Sequence, residues 1–134
     1  MKKILVLGLS VVLVLTACEV RSAASIEGEW ELVSYGPASA QIPAIPDVET
    51  SIEFKDGQMS GNVGCNGFGG EYTVKGDTIR FGPVMSTMMF CEEIVEQESG
   101  SLAVFQEETM FVLDGNMLTI TSADGAMSIV LERK

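Results

Sequence analysis

The sequence predicts an α+β domain: an antiparallel, strongly curved β-sheet or open barrel of about eight strands, with one covering helix. Two observations predict this fold. Short segments that alternate apolar and polar residues recur along the chain, and Gly, Asp or Asn, which tolerate the backbone angles of tight turns, separate them. One segment near residue 100 lacks this alternation and is rich in helix-forming residues. The 134-residue chain therefore has room for one such domain behind an N-terminal leader.

The predicted strands follow one another as short hairpins. The first is "EWELVSY", in which Trp30 and Leu32 share one face. A loop with three prolines, "GPASAQIPAIPDVE", follows it. The other strands are predicted, in order, in TSIEFK, MSGNVG, GEYTVK, DTIRFG, TMFVLD, MLTITS and AMSIVLE. The aromatic residues expected in the core are Trp30, Phe54, Tyr72, Phe81, Phe105 and Phe111.

The helix is predicted in "EEIVEQESGSLAVFQEE", between Cys91 and the next strand. Glu92 and Glu93 stand at its front, where negative charge is favourable because the helix N-terminus carries partial positive charge. Gly100 lowers helix propensity. We therefore expect a helix that is interrupted at Gly100.

The N-terminus predicts export and lipidation. "MKK", an apolar run over residues 4–15 and then "LTAC" form the three parts of a secretory signal. The last four residues resemble a bacterial lipobox, in which the cysteine is lipidated and becomes the mature N-terminus. We expect a lipoprotein signal peptide over residues 1–17, a lipidated tether over 18–27 that begins at Cys18, and the domain over 28–134. The run is too short for a lasting transmembrane anchor, which needs about 20 apolar residues.

This leader predicts a location in the cell envelope, with the membrane contacted through lipid on Cys18. Glu19, rather than Asp, follows the cysteine. By resemblance to the sorting rule of didermal bacteria, the protein would reach the outer membrane if the source has one. Otherwise it would lie on the outer face of the plasma membrane.

The charge balance limits the partners of the chain. The sequence has 8 Lys and Arg against 19 Asp and Glu, for a net charge of −11. Removing residues 1–17 takes away Lys2 and Lys3 but no acid, so the mature charge becomes −13. Nucleic acid is therefore excluded, because binding phosphates requires clustered Lys and Arg. A basic envelope protein or a divalent cation is the partner that this charge favours, although acidity also serves solubility alone. We expect a monomer.

The cysteine count predicts a disulfide. Assigning Cys18 to lipid leaves Cys65 and Cys91 as an even pair in an oxidising compartment. Cys65 lies in the stretch "GCNGFGGEY", where glycines permit sharp turns and Asn66 tolerates a left-handed backbone and can bond to its own backbone. We interpret this stretch as a structural corner tied to Cys91.

No residue pattern predicts catalysis. The chain has no histidine, which excludes Ser-His and Cys-His pairs and histidine metal sites. "GCNGFGG" lacks the Gly-Lys-Ser/Thr ending of a phosphate-binding loop. We expect no enzyme activity and no cofactor.

One cluster leaves an alternative open. Met85, Met88, Met89 and Cys91 offer soft sulfur ligands, which select Cu(I). Methionine is also a common filler of cores, and a disulfide-bonded Cys91 has no thiolate to offer. We favour core packing for these methionines and expect no metal.

Four pieces of the sequence together resemble the META domain, also called the HslJ-like family of bacterial envelope proteins. The pieces are "W.L" at Trp30, "GCN...G.Y" from Gly64, "ST.M.C" from Ser86 and "LDGNMLTIT" from Leu113. The motif residues, to which we assign structural roles, are Trp30, Gly64, Asn66, Gly70, Tyr72, Thr87 and Met89. Met88 and Phe90 depart from the family, in which arginine and alanine are common at these positions.

The resemblance implies a small exported protein linked with stress, and it implies no reaction. We therefore expect a non-enzymatic binding or stress-related role in the cell envelope. The alternatives are copper binding through the methionines and inhibition of a cationic envelope hydrolase.

Overall fold

The computed structural model describes residues 25–134, which form ten strands and one helix. The strands are β1 (Gly28–Pro37), β2 (Ile42–Pro43), β3 (Ser51–Lys55), β4 (Gln58–Asn62), β5 (Gly67–Lys75), β6 (Thr78–Phe81), β7 (Met85–Ser86), β8 (Glu108–Asp114), β9 (Met117–Ser122) and β10 (Met127–Arg133). The helix is α1 (Val95–Leu102). In this part of the chain, no helix has the length and apolar character needed to cross a bilayer.

Eight of the strands form a closed antiparallel barrel. Their order around the barrel is β1, β3, β4, β5, β6, β8, β9 and β10, and pairing of β10 with β1 closes it. The two short strands are additions: β2 pairs with β1 and β7 pairs with β5. The predicted α+β class, with about eight antiparallel strands and one helix, is confirmed. The barrel is closed rather than open, and closure leaves the main sheet without a free edge.

Alternation of side chains produces the barrel wall. In β3, Ile52 and Phe54 are fully buried, whereas Glu53 and Lys55 between and after them are exposed. Asp56 and Gly57 then turn the chain into β4 with φ angles of 51° and 76°. Positive φ at both central residues belongs to the hairpin turn whose twist matches that of the strands.

Aromatic side chains fill much of the barrel interior, as predicted. The ring of Phe54 meets that of Tyr72 edge to face, with centroids 5.1 Å apart, and Phe105 meets Phe81 in the same way at 5.2 Å. Trp30 is fully buried. Phe111 is the exception: it is only partly buried and packs against the rim of the core.

The helix differs from its prediction in its first residue and in its continuity at Gly100. It begins at Val95, so Glu92 and Glu93 lie in the turn before it. Gly100 lies inside the helix without interrupting it. A Cβ atom on Gly100 would lie 2.7 Å from Cδ2 of Tyr35, so glycine is present because the helix packs closely against β1.

The two ends of the barrel carry different structures. One end of the barrel, which we call the near end, is where the described chain enters β1 and where Lys134 lies. The hairpin turns from β3 to β4, from β5 to β6 and from β8 to β9 are also at this end. At the far end lie the turn from β4 to β5, the long connection from β6 to β8 that contains β7 and α1, and the turn from β9 to β10. The far end therefore holds most of the irregular structure.

The packed body extends into the segment that the sequence assigns to the tether. Ile26 is 2% exposed and belongs to the core, and its carbonyl oxygen accepts a hydrogen bond of 2.9 Å from Nε1 of Trp30. The domain thus includes residues before the predicted boundary at Gly28. The predicted signal peptide and Cys18 lie outside the described residues.

Candidate functional site

A sharp corner between β4 and β5 forms the base of the site. Gly64 has a φ of 122°, and a Cβ atom there would lie 2.7 Å from Cγ1 of Val48 and 2.9 Å from Cγ2 of Ile94. Only glycine combines this backbone angle with such close packing. The corner is shorter than predicted, because β5 already begins at Gly67.

A disulfide joins this corner to the connection that follows β7. Cys65 and Cys91 are bonded, with their Cα atoms 6.1 Å apart. The disulfide prediction is therefore confirmed. It fixes the end of the segment over residues 85–91, which we call the methionine loop.

Asn66 fixes the middle of the methionine loop. This residue is 4% exposed, and its Oδ1 accepts hydrogen bonds from the backbone N–H of Met89 (2.7 Å) and from Oγ1 of Thr87 (2.9 Å). Its Nδ2 donates to the carbonyl oxygen of Met89 (3.0 Å). Asn66 could adopt a left-handed backbone and bond to its own backbone, but it does neither. Its φ is not positive, and its side-chain bonds reach residues more than twenty positions away.

The helix supplies two polar residues that the sequence analysis missed. The Glu98 carboxylate accepts hydrogen bonds from the backbone N–H of Asn66 (2.7 Å) and from its Nδ2 (2.8 Å). The fully buried Gln97 accepts from the N–H of Ile45 (2.7 Å) and donates to the carbonyl oxygen of Val63 (2.8 Å). The buried face of the helix is thus polar, and hydrophobic periodicity could not identify it.

The methionine and phenylalanine side chains of the methionine loop point into solvent. Met88 is 94% exposed, Phe90 80%, Met85 79% and Met89 60%. Our expectation that the methionines pack in the core is therefore wrong. The backbone beneath them is held by the buried Asn66 and by the disulfide at Cys91, so the exposure belongs to a well-anchored segment.

Two grooves flank this loop. The first has a volume of about 640 Å³, is wide open, and lies between Met85 and Phe68. The second, of about 500 Å³, shares Ser86 with the first, and Leu102 and Phe105 line it together with Glu107. Both have mainly apolar walls. In the part of the chain that the structure describes, no group of three His, Cys, Asp or Glu side chains is placed to hold a metal ion.

The family follows from comparison with known sequences. The model of the META domain matches residues 23–134, nearly all of the chain outside the predicted leader. The chain belongs to the META domain family. Among curated proteins, none matches the sequence.

Solved structures show the same fold as this META domain at low sequence identity. An NMR structure of a protein from Burkholderia xenovorans has a TM-score of 0.61 at 19% identity, covering 81% of this chain and 82% of its own. A second NMR structure has a TM-score of 0.60 at 18% identity, with coverages of 79% and 88%. A DUF4847 family protein from Bacteroides vulgatus ATCC 8482 has a TM-score of 0.57 at 15% identity, with coverages of 81% and 93%. These similarities concern the fold.

The motif residues of the META domain fall into two groups. Gly64, Asn66, Thr87 and Met89 meet at the corner and the methionine loop, as described above. Gly70 packs against the chain just before the methionine loop, where a Cβ atom on it would lie 2.9 Å from the carbonyl oxygen of Pro83.

Trp30 and Tyr72 are apart from this group, in the core of the META domain. The guanidinium of Arg133 lies 4.2 Å from the centre of a Trp30 ring, within reach of a cation–π contact. Burial, and next the charge of Glu27, raise the pKa of Tyr72. These two residues support the barrel and take no part in the site.

Proposed function

We propose that this META-domain protein is exported, anchored by lipid on Cys18 and active in the cell envelope as a non-enzymatic binding protein. The observation that carries the binding role is the methionine loop. Its large apolar side chains are exposed although its backbone is pinned by a disulfide and by a buried asparagine. Exposed apolar patches on a well-ordered scaffold are typical of interaction sites.

Export is supported by two independent features. The N-terminal sequence has the charge, apolar run and cysteine of a lipoprotein signal. The disulfide between Cys65 and Cys91 belongs to the class of bonds that persist in oxidising compartments. Anchoring by acyl chains is physically sufficient, because each buried methylene contributes about 0.8 kcal/mol.

A binding role without catalysis agrees with the residues available. The sequence has no histidine, the side chain that most often acts as general acid or base near neutral pH. The exposed residues of the loop itself are thioethers, hydroxyls and a phenyl ring, without an adjacent base to activate a nucleophile.

Mass spectrometry of the protein purified from membranes tests the anchor. We expect diacylglyceryl mass on Cys18, and we expect Cys65 and Cys91 to become alkylated only after reduction. A Cys18→Ser variant should lose the acyl mass. Wild-type protein without acyl mass would contradict the anchor.

Photocrosslinking in intact cells tests the binding role. A benzoyl-phenylalanine at position 88, in the methionine loop, should give one discrete crosslinked species. The same probe at position 112, an exposed position on the barrel wall, is the matched control and should not give it. Equal products at both positions would contradict a dedicated surface.

Copper binding is a second candidate, which the exposure of Met85, Met88 and Met89 favours. Three accessible thioethers within five residues suit Cu(I), although the disulfide removes Cys91 as a thiolate ligand. An anaerobic Cu(I) titration followed through the methionine methyl resonances tests it. Methyl signals of the loop that do not move would exclude this candidate.

A further inference from the structure

We propose that the methionine loop and its two flanking grooves form a docking surface for a cationic amphipathic polypeptide segment. This inference deepens the proposed binding function and rests on it. It specifies the chemistry of the partner: one face of apolar side chains, bordered by Lys or Arg.

The first argument is the kind of apolar surface. Methionine side chains are unbranched and polarisable, so they adapt to partners of different shape. Met85, Met88 and Met89 are exposed on one short loop beside Phe90. An adaptable surface of this type suits the apolar face of an amphipathic segment.

The second argument is the concave shape of that surface. The groove beside Met85 (about 640 Å³) and the groove beside Leu102 (about 500 Å³) meet at the loop, because Ser86 lines both of them. Concave apolar volumes of this size accommodate side chains of a bound partner. A segment lying across the loop would place apolar side chains in both grooves.

The third argument is charge. The sequence has no Lys or Arg between Arg80 and Arg133, a stretch that includes the whole loop and the helix. Arg80 itself is paired with Glu108 at 3.1 Å. Glu92 and Glu93 are exposed directly after the disulfide, and Glu107 lines the second groove.

The remaining cations lie elsewhere in the described chain. Lys55 and Lys75 flank the hairpins of the near end, where Arg133 and Lys134 also lie. The far end is therefore an acidic surface with an apolar centre. Its charge attracts a cationic partner and opposes a second copy of this acidic chain or an anionic lipid surface.

NMR titration with synthetic peptides tests the proposal. The protein is the exported chain with Cys18→Ser and ¹³C-methyl-labelled methionine. The probes are three peptides of equal length: an amphipathic Leu–Lys peptide, its Leu–Glu counterpart and a Ser–Lys counterpart. We expect the methyl signals of Met85, Met88 and Met89 to shift with the Leu–Lys peptide, and those of Met59 and Met110 to stay in place.

The two counterpart peptides separate charge from apolar contact. Shifts of the same size with the Leu–Glu peptide would overturn the charge argument, and shifts of the same size with the Ser–Lys peptide would overturn the apolar argument. If the methyl signals of the loop methionines shift with phosphatidylcholine vesicles but not with the Leu–Lys peptide, the surface is assigned to a membrane. A self-association that buries Met88 would assign it to a second copy. Each of these results overturns the proposal.

Paired variants locate the contact. Met88→Ser/Phe90→Ser should weaken binding of the Leu–Lys peptide about tenfold or more, as loss of central apolar contacts does. The control, Met110→Ser/Val112→Ser, removes two apolar residues that are also exposed, but on the barrel wall, and should leave affinity unchanged. All four side chains are exposed, so folding is preserved.

A charge pair completes the test. Glu92→Gln/Glu93→Gln should weaken binding about threefold to tenfold at low salt, since exposed ion pairs are individually weak. Glu31→Gln/Glu53→Gln removes the same charge from the barrel wall and should have a smaller effect. Equal effects of both charge variants would overturn the placement of the surface. Peptide binding is measured without the lipid, so a missing lipid on Cys18 would refute the anchor while leaving this result intact.

Discussion

Asn66 and Glu98 form a two-point contact that fastens the helix to the corner between β4 and β5. The backbone N–H of Asn66 donates to Oε1 of Glu98 at 2.7 Å, and its Nδ2 donates to Oε2 at 2.8 Å. The opposite side of the same amide group holds the methionine loop through Met89. One buried side chain therefore connects three chain segments, and it orients the exposed loop relative to the barrel.

Replacing Asn66 should destabilise the protein strongly. In Asn66→Ala the carboxylate of Glu98 and the N–H of Met89 lose their side-chain partners, and we expect a loss of about 2–4 kcal/mol in the free energy of unfolding. Urea denaturation measures it. Asn116→Ala is the control, because Asn116 is exposed and its side chain bonds only to the carboxylate of Glu132. Equal losses in the two variants would contradict the connecting role of Asn66.

Removing the disulfide should also lower stability. It closes a loop with a sequence separation of 26, for which constraint of the unfolded chain predicts about 3–4 kcal/mol. Cys65→Ser/Cys91→Ser should therefore unfold at lower urea concentration than wild type. Added reductant should shift the wild-type curve but not that of the variant. A wild-type curve that stays in place with fully reduced cysteines would show that the bond contributes little.

Gly100→Ala should destabilise although alanine favours helices. The propensity gain is about 1 kcal/mol, but the new methyl group would lie 2.7 Å from Cδ2 of Tyr35. Displacing a packed ring costs about 1–3 kcal/mol, so we expect a net loss in thermal denaturation. Ser99→Ala, at an exposed position one residue earlier, should be close to neutral. In a Tyr35→Ala background the penalty of Gly100→Ala should disappear; its persistence would place the strain elsewhere.

The turn from β9 to β10 should weaken in acid through Asp124. Hydrogen bonds from Oγ of Ser122 and then from the N–H of Ala126 lower the pKa of Asp124. Because the folded pKa lies below the unfolded one, the stabilisation is present above the ordinary Asp value, near pH 4, and is lost as the pH falls through the folded pKa. ¹³C carboxyl shifts should show this titration.

A serine variant separates this effect from general acid sensitivity. Ser122→Ala should raise the pKa of Asp124 towards its ordinary value. It should leave the pKa of Glu29 unchanged, because other residues lower that pKa: first Ser51, through a hydrogen bond, and then Lys134. A Glu29 titration that moves together with that of Asp124 would point to a global rearrangement.

Local sequence patterns predicted the barrel well. Alternation at Ile52 and Phe54 identified β3, and the Asp56–Gly57 turn identified its hairpin, because side-chain direction and turn geometry depend on near neighbours. The disulfide followed from the number of cysteines and the leader. The helix was found, but its start was misplaced because Glu92 and Glu93 suit a turn as well as a first helical residue.

The site was less predictable, since its contacts join residues far apart in the chain. Asn66 can bond locally, as asparagine does in turns, but Glu98 and Met89 are its partners in the structure. The methionines were expected in the core because methionine is apolar. They are exposed because Asn66 and the disulfide direct the loop backbone so that those side chains point outward.

By itself, the sequence determined the fold class, the disulfide and the family, because each depends on local periodicity, composition or a short motif. Only the tertiary structure decided that the barrel closes, that Gln97 and Glu98 are structural and that Met88 and Phe90 are exposed. Closure of the barrel and exposure of the loop depend on which distant segments meet. The energy of such a contact depends on both segments, so the local sequence around either one does not predict it.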